Sequence, residues 1–192
     1  MSERSDIDDR RDLVFVTVGT DHHPFDRLVA WADAWVATRG AGTPCLIQSG
    51  TSKPPTQAEW RDYVRYEEMC EAMGRAVAVL CHGGPATIMD ARRLGRVPIV
   101  LPRSADLGEH VDNHQQRFAA RMAGLGQVHL ARTQEDVFEL LDKAVADPSA
   151  FALTESGDHI AAAVRRFEEL VDGLVAARPS RRIGARRGGA RR

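Results

Sequence analysis

Short apolar runs and amphipathic stretches alternate along most of the chain, and this pattern limits the folds that it can adopt. Six runs have the length and composition of strands, at residues 13–18, 44–49, 60–66, 76–80, 97–102 and 127–131. Five helical stretches accompany them, at residues 25–40, 67–76, 85–94, 110–126 and 133–147. Because strands that alternate with helices favour a parallel sheet covered on both faces, the sequence predicts a single Rossmann-like, doubly wound α/β domain.

The two ends of the chain differ from this alternating domain, which we assign to residues 13–147. Residues 1–12 are charged, lack the apolar core of a signal peptide and are predicted to be disordered. Residues 148–177 are predicted to form a linker and an amphipathic helix over 159–177, which packs either on its own domain or on a partner. Residues 178–192 are predicted to be a disordered basic tail that either meets anionic lipid or only aids solubility.

Composition excludes several classes of protein. Of the 26 lysines and arginines, seven lie in residues 178–192, which leaves 19 against 27 acids and argues against a general nucleic-acid binder. The three cysteines, Cys45, Cys70 and Cys81, show no CxxC spacing and fit a reducing cytoplasm. No apolar run approaches the roughly 18 residues that span a bilayer, so any membrane contact is expected to be peripheral or made through a partner.

Polar loops follow four of the predicted strands at their carboxyl ends. In an open parallel sheet, ligands bind in the crevice beyond these ends. The loops therefore predict one shared binding site. Their sequences are GTDHHP at 19–24, QSGTSKPP at 48–55, CHGGPAT at 81–87 and PRSADLGEH at 102–110.

The CHGGPAT loop indicates the chemistry of the ligand. Gly83 and Gly84 let a ligand approach the backbone, and the free amides of the next helix favour a phosphate. Thr87 adds a hydroxyl there, and Asp90 lies three residues later on the same face, where it can accept hydrogen bonds from a sugar. The alternative is that the glycines make only a tight turn and that His82 is an ordinary loop histidine.

The segment GEHVDNHQ has three interpretations. His110 and His114 are four residues apart, so on a helix they share a face, and with Glu109 and Asp112 they could bind a metal ion. Alternatively, the segment is a solvated helix start, or a polar first turn that faces the same ligand as Asp90.

The GTDHHP loop also has two interpretations. Gly19 and Thr20 could present backbone amides to a ligand, and His22 and His23 could titrate near neutral pH. Otherwise the loop is an ordinary connection whose aspartates cap the next helix.

Three motifs together resemble a known family of enzymes. They are VFVTVGT…PFDRLV, HGGPATIMDARRLGRVPIVLPR and GEHVDNHQQRFAARMA. Their order and spacing are similar to those in the C-terminal, donor-binding half of GT-B glycosyltransferases of family 28, over roughly residues 13–146. The resemblance extends to the stand-alone catalytic subunits of two-subunit exopolysaccharide and capsule glycosyltransferases of bacteria, and to that of the dolichol-linked N-acetylglucosaminyltransferase.

The resemblance implies a UDP-sugar donor and no metal or other cofactor. Gly83, Gly84 and Thr87 would hold the diphosphate, and Asp90 would bind the ribose hydroxyls where relatives usually have a glutamate. Residues 112–115 would contact the donor sugar. The residues assigned to the UDP-sugar are Gly19, Thr20, Gln48, Gly50, His82, Gly83, Gly84, Thr87, Asp90, Glu109, Asp112, Asn113, His114 and Gln115.

The resemblance also implies a missing half. In two-subunit relatives, a membrane-anchored partner completes the enzyme and supplies a polyprenyl-diphosphate-linked acceptor, so the chain is expected to be a cytoplasmic subunit held at the inner face of the membrane. Family 28 relatives invert the anomeric centre. The catalytic base lies either in the partner or at His22 or His23. The transferred sugar stays open, and Arg103 could pair with a carboxylate on it.

Two other functions remain as alternatives. The chain could be a nucleotide-sugar-binding module that regulates without catalysis. It could also be a metal-dependent hydrolase built on His110 and His114.

Overall fold

A computed structural model describes residues 13–153 of the chain. The predictions for the segment 1–12, for the helix over 159–177 and for the tail over 178–192 lie outside the described residues. Within residues 13–153, no helix is both long and apolar enough to cross a membrane.

The described residues form one sheet of six parallel strands. The strands are β1 (Val14–Thr17), β2 (Cys45–Gln48), β3 (Glu59–Arg61), β4 (Ala78–Cys81), β5 (Ile99–Val100) and β6 (His129–Leu130). Their order is β3-β2-β1-β4-β5-β6, so the direction of winding reverses between β1 and β4. A crevice opens at such a reversal, beyond the carboxyl ends of the strands.

Five α-helices within the described residues cover the two faces of the sheet. They are α1 (Asp26–Thr38), α2 (Tyr66–Arg75), α3 (Pro85–Arg93), α4 (His114–Gly124) and α5 (Gln134–Ala146). Val16 of β1 belongs to a core cluster with Trp35 of α1, whereas Phe15 belongs to a cluster with Met73 of α2. Successive side chains of a strand point to opposite faces, so both faces are buried and the predicted doubly wound α/β fold is confirmed.

The third strand is shorter than its pattern predicts. The sequence assigns a strand to residues 60–66, but β3 ends at Arg61 and α2 begins at Tyr66. The carboxylate of Glu68 accepts a hydrogen bond from the backbone N–H of Arg65 at 3.3 Å. This cap stabilises the start of α2, so the last residue of the predicted strand belongs to the helix.

The helix α4 also begins later than predicted. The backbone N–H of His114 donates to the carboxylate of Asp112 at 2.8 Å, and the side chain of Asn113 accepts from the N–H of Ala105 at 2.9 Å. These bonds hold residues 110–113 in bends outside the helix. The expectation that His110 and His114 share a helical face is therefore wrong.

The domain continues beyond the predicted boundary at residue 147. The short 3₁₀-helix Pro148–Phe151 follows α5, and the Phe151 side chain is buried in the same core cluster as α1 and α5. The backbone N–H of Val97 donates to the carbonyl of Phe151 at 2.8 Å, and the N–H of Leu153 donates to the carbonyl of Gly95 at 2.8 Å. Residues 148–153 thus belong to the domain and not to a linker.

Candidate functional site

The loops after β1, β4 and β5 meet at one end of the sheet. Arg103, which follows β5, donates hydrogen bonds to the carbonyls of Val18 and His23 in the loop after β1. His82, which follows β4, lies against Gly19 of the same loop. This arrangement agrees with the sequence prediction that these polar loops lie close together.

The imidazole of His82 lies between the backbones of Gly19 and Gly84. A Cβ atom built on Gly19 or on Gly84 would overlap the ring, so neither position can carry a larger side chain without moving it. Gly19 also has a φ of +78°, which L-residues seldom adopt. The glycines at these two positions therefore have a packing role that involves His82.

Burial sets the charge of His82. Its side chain is buried, and burial lowers the pKa of His82 to about 4, with a further lowering from the positive charge of Arg103. The ring is therefore neutral at pH 7. Its Nδ1 atom has no hydrogen-bond partner among residues 13–153, although it is shielded from solvent.

The start of α3 is suited to an anion. Gly84 is the N-cap residue, no side chain caps the helix, and Pro85 takes a first-turn position that needs no N–H. The first backbone N–H groups of an uncapped helix are free for a ligand, and the helix dipole favours a negative one. Thr87 is half-buried in this first turn, and contact of its hydroxyl with a phosphate stays a prediction.

Gly83 has a different role from its neighbour. A Cβ atom on Gly83 would lie 2.9 Å from the Cβ of Gln115 in α4. Gln115 is itself buried, and its side-chain oxygen accepts a hydrogen bond from the backbone N–H of Arg103 at 3.4 Å. The small residue thus lets the first turn of α4 approach the turn after β4.

Asp90 is held at the surface of α3 by two neighbours. Its Oδ1 atom accepts a hydrogen bond from the Tyr66 hydroxyl at 3.0 Å and one from Nη2 of Arg93 at 3.2 Å. Arg93 also donates to the Tyr66 oxygen at 2.7 Å. The spacing of Asp90 and Arg93 on one helix could be read from the sequence, but Tyr66 of α2 was missed because only the fold brings it there.

The side chain of Gln48 supports the loop after β1. Its side chain is buried, its Nε2 atom donates to the carbonyl of Gly19 at 3.0 Å, and its Oε1 atom accepts from the Thr17 hydroxyl at 3.3 Å. Gly50 packs beneath the same loop, since a Cβ atom there would lie 2.9 Å from the Val18 side chain. Both residues lie beside the predicted site, where they fix the loop backbone. Thr20 of this loop is exposed.

Arg103 is fully buried and joins two loops. Its guanidinium donates to the carbonyls of His23 at 2.6 Å, Glu109 at 2.9 Å and Val18 at 2.8 Å. The expectation that Arg103 pairs with a sugar carboxylate is wrong, because the group is enclosed and already bonded to backbone oxygens.

Glu109 forms a buried ion pair. Its carboxylate receives two hydrogen bonds from Arg27 of α1, each at 2.8 Å, and one from the backbone N–H of Ser104 at 2.8 Å. Glu109 was predicted to touch the donor, but this carboxylate instead fastens the loop after β5 to α1. Paired and bonded in this way, a buried charge can be tolerated in the interior.

Imidazoles surround the carboxylate of Asp21. Oδ1 of Asp21 lies 2.6 Å from Nδ1 of His23 and 3.6 Å from Nδ1 of His22, and Oδ2 lies 3.4 Å from Nε2 of His110. Burial alone would raise the pKa of Asp21, but hydrogen bonds from His23 and the charge of Arg103 outweigh it and lower the pKa to about 2. Asp21 is therefore ionised at neutral pH.

The predicted donor-sugar segment divides into two kinds of residue. Asp112 and His114 are exposed, their side chains are paired, and the hydrogen bonds from His114 lower the pKa of Asp112. Asn113 and Gln115 are instead bonded to backbone N–H groups of the preceding loop. Within residues 112–115, Asp112 and His114 are therefore the exposed side chains.

Solved structures of glycosyltransferases share this fold over part of their length. The calicheamicin glycosyltransferase CalG4 is 15% identical, with a TM-score of 0.54, over 74% of this chain and 37% of its own. The spinosyn forosaminyltransferase SpnP is 19% identical, with a TM-score of 0.53, over 72% and 36%. MurG from Acinetobacter baumannii is 16% identical, with a TM-score of 0.51, over 82% and 50%.

The chain therefore spans half or less of the length of these solved structures. No curated protein sequence matches it significantly. The family model of the glycosyltransferase family 28 C-terminal domain matches residues 13–171, which is most of the chain and extends past the region of resemblance seen in the sequence. The protein belongs to the glycosyltransferase family 28 C-terminal domain family.

Proposed function

We propose that the chain is the donor-binding subunit of an inverting, UDP-sugar-dependent glycosyltransferase. The observation that carries this proposal is the uncapped start of α3 directly after the His82–Gly84 turn, with the partly exposed carboxylate of Asp90 on the same helix. An anion site and a hydrogen-bond acceptor in this order match a nucleoside diphosphate, whose ribose lies beside its phosphates. Membership of family 28 supports a sugar nucleotide as the ligand.

In this proposal the start of α3 stabilises the leaving group. As the bond from the anomeric carbon to the UDP oxygen breaks, negative charge develops on the diphosphate. The free N–H groups at the start of α3 and the positive end of its dipole stabilise that charge. We propose for this reason that transfer needs no resident metal ion.

His23 is the base that we propose for the acceptor hydroxyl. When Nδ1 of His23 donates its proton to Asp21, at 2.6 Å, Nε2 keeps a lone pair that can take a proton. The hydroxyl oxygen attacks the anomeric carbon, its proton passes to Nε2, and UDP departs. His22 is a weaker choice, because its side chain is 84% exposed and lies 3.6 Å from the same carboxylate.

In this proposal a separate membrane-anchored subunit completes the enzyme. It presents an acceptor linked to polyprenyl diphosphate. The two subunits form a heterodimer at the inner face of the membrane. The support is that the chain matches half or less of the length of each of these solved structures. Large apolar side chains are also exposed at Met89 on α3 and at Leu107 and Val111 in the loop after β5. Such side chains are suited to cover by another protein surface.

Transfer by the reconstituted pair tests this function. The chain and its partner are incubated with labelled UDP-sugars and a polyprenyl-diphosphate acceptor, and labelled lipid product is measured. His23→Gln is expected to lower turnover by roughly a hundredfold or more, while the affinity for UDP is retained. Full turnover by His23→Gln would remove the proposed base. UDP binding without any transfer would favour the alternative of a regulatory nucleotide-sugar-binding module.

A further inference from the structure

A compact group of imidazoles surrounds one carboxylate beside the site. We call it the histidine cluster, and it consists of Asp21, His22, His23 and His110. The ligand atoms of Asp21, His22 and His23 all lie within 4.8 Å of one another, and Nε2 of His110 lies 3.4 Å from the other oxygen of Asp21. Three imidazoles and a carboxylate are the donor set that zinc and related ions prefer.

Part of the cluster has the spacing of a metal site, because ligand atoms of Asp21, His22 and His23 lie within 4.8 Å of one another. Tetrahedral bonds of about 2.0–2.1 Å to nitrogen and oxygen place neighbouring ligand atoms about 3.3 Å apart. Nδ1 of His22 lies 3.6 Å from Oδ1 of Asp21, and Nε2 of His110 lies 3.4 Å from Oδ2, so His110 approaches the group through the other carboxylate oxygen. The distance from Asp21 to His23 is 2.6 Å, that of a hydrogen bond, and it widens when an ion replaces the shared proton.

The backbone that carries the cluster is fixed before any ion binds. Arg103 holds the carbonyls of His23 and Glu109, on either side of the cluster, and the Thr51 hydroxyl donates to the carbonyl of His22 at 3.0 Å. The exposed ring of His22 leaves a route for an ion from solvent, whereas the His110 side chain is only 12% exposed. The backbone at His22, at His23 and beside His110 is thus held by hydrogen bonds.

Local charge limits how tightly an ion is held. Asp21 supplies one negative charge and Arg103 places a positive charge nearby, while Glu109 is already paired with Arg27. An ion bound mainly through neutral imidazole nitrogen suits this balance better than Mg²⁺ or Ca²⁺, which require several oxygen ligands.

We propose that the histidine cluster binds one Zn²⁺ ion reversibly and that the bound ion inhibits the enzyme. Zinc takes the Nδ1 lone pair of the His23 tautomer whose proton is on Nε2, so the hydrogen bond to Asp21 is lost and Nε2 has no lone pair left. Inhibition rests on the proposed function, because a metal-bound imidazole no longer serves as the base for the acceptor hydroxyl. Zinc binding itself does not depend on that function.

Metal titration of the full chain tests the site without any nucleotide. EDTA-treated protein is titrated with Zn²⁺ by calorimetry and with Co²⁺ by absorption, which reports tetrahedral nitrogen coordination. We expect one ion per chain, and we expect the double variant His23→Ala with His110→Ala to lose it. His110, Asp112 and His114 form a second group whose ligand atoms lie within 4.8 Å of one another. His114→Ala therefore discriminates between the two groups, and we expect this variant to keep the ion.

Imidazole NMR signals of the unaltered protein provide a second measurement, which is independent of how the variants fold. Zinc is expected to shift the ring signals of His22, His23 and His110 and to leave that of His129, whose ring lies against Phe151, in place. The proposal is overturned if no ion binds, if the double variant binds as the wild type does, or if His114→Ala is the variant that loses the ion. A normal UDP affinity in EDTA would show that such a failure concerns the metal site alone.

Discussion

The Tyr66 hydroxyl donates a hydrogen bond to Oδ1 of Asp90 across 3.0 Å, and this bond joins α2 to the carboxylate that we assign to the ribose. It leaves the second carboxylate oxygen for a ligand. Asp90 has a short side chain, so the orientation of its carboxylate depends on its neighbours. Tyr66 is the neighbour contributed by a different helix.

Removing this hydroxyl is expected to weaken donor binding without affecting the fold. Tyr66→Phe loses a hydrogen bond worth about 1 kcal/mol, which corresponds to a roughly fivefold weaker affinity for UDP. Calorimetric titration measures this change, and thermal unfolding should be nearly unaltered because the Tyr66 side chain is exposed. An affinity equal to that of the wild type would show that Tyr66 does not position Asp90.

The contact between His82 and Gly84 predicts that a methyl group added at position 84 lowers the stability of the protein. Gly84→Ala places a Cβ against the His82 ring and is expected to lower the free energy of unfolding by roughly 1–3 kcal/mol. The matched control is Gly74→Ala in α2, where the added Cβ meets nothing within 4 Å and should stabilise the helix by up to about 1 kcal/mol.

A second substitution tests the cause of the Gly84 effect. Adding His82→Ala to Gly84→Ala removes the ring that the new methyl group meets. Urea unfolding of the two single variants and the double variant measures their coupling. Simple additivity of the two losses would show that the ring of His82 is not what excludes a side chain at position 84.

Arg103 is expected to be important for stability because its buried guanidinium joins two loops. Arg103→Ala leaves three backbone carbonyls without their donor and should cost about 3 kcal/mol or more of unfolding free energy. The exposed Arg117→Ala serves as the control and should stay within about 0.5 kcal/mol of the wild type. Equal stability of the two variants, measured by urea unfolding, would contradict the joining role of Arg103.

The lowered pKa of His82 predicts how stability depends on pH. The unfolded chain binds a proton at His82 near pH 6.5, whereas the folded chain does so only near pH 4. Between these values the unfolded state holds more protons, so stability falls as the pH drops from 6.5 towards 4. The shift corresponds to a loss on the order of 3 kcal/mol.

Urea unfolding at pH 7 and pH 4.5 measures this dependence in the wild type and in His82→Gln. The variant cannot take up the proton and is expected to lose less stability on acidification. His129→Gln is the comparison, since burial also lowers the pKa of His129 but its ring lies against Phe151, far from the turn after β4. Equal acid sensitivity of wild type and His82→Gln would show that His82 is not buried in its neutral form.

Local patterns in the sequence predict most of the elements and the glycine turn before α3, because their signals lie within a few residues of one another. The Gly84 turn and Asp90 are six residues apart on one helix, so their order could be read directly. Glu109 could not be interpreted correctly, because its partner Arg27 lies on α1, far away in sequence. Tyr66 was missed for the same reason, and it was assigned to a strand because its aromatic neighbours favour one.

Two polar residues that the sequence assigns to the site, Gln48 and Arg103, have packing roles, and donor contact by Gln48 stays a prediction. Gln48 and Arg103 both follow or end a strand at the carboxyl edge, where polar residues are typical of ligand sites. The fold instead buries both side chains beneath the loop after β1, where they bond to carbonyl groups of that loop. Burial of a polar side chain depends on the packing of distant elements, which a residue pattern does not contain.

Titration of the full chain with UDP in the presence of EDTA tests the central claim most directly. We predict saturable binding by the wild type, a clear loss of affinity in Asp90→Ala, and unchanged affinity in Glu139→Ala, which removes an exposed acid from α5. Circular dichroism confirms that each variant is folded. An absence of UDP binding at millimolar concentration, or equal losses in the two variants, would contradict the assignment of this site to a UDP-sugar.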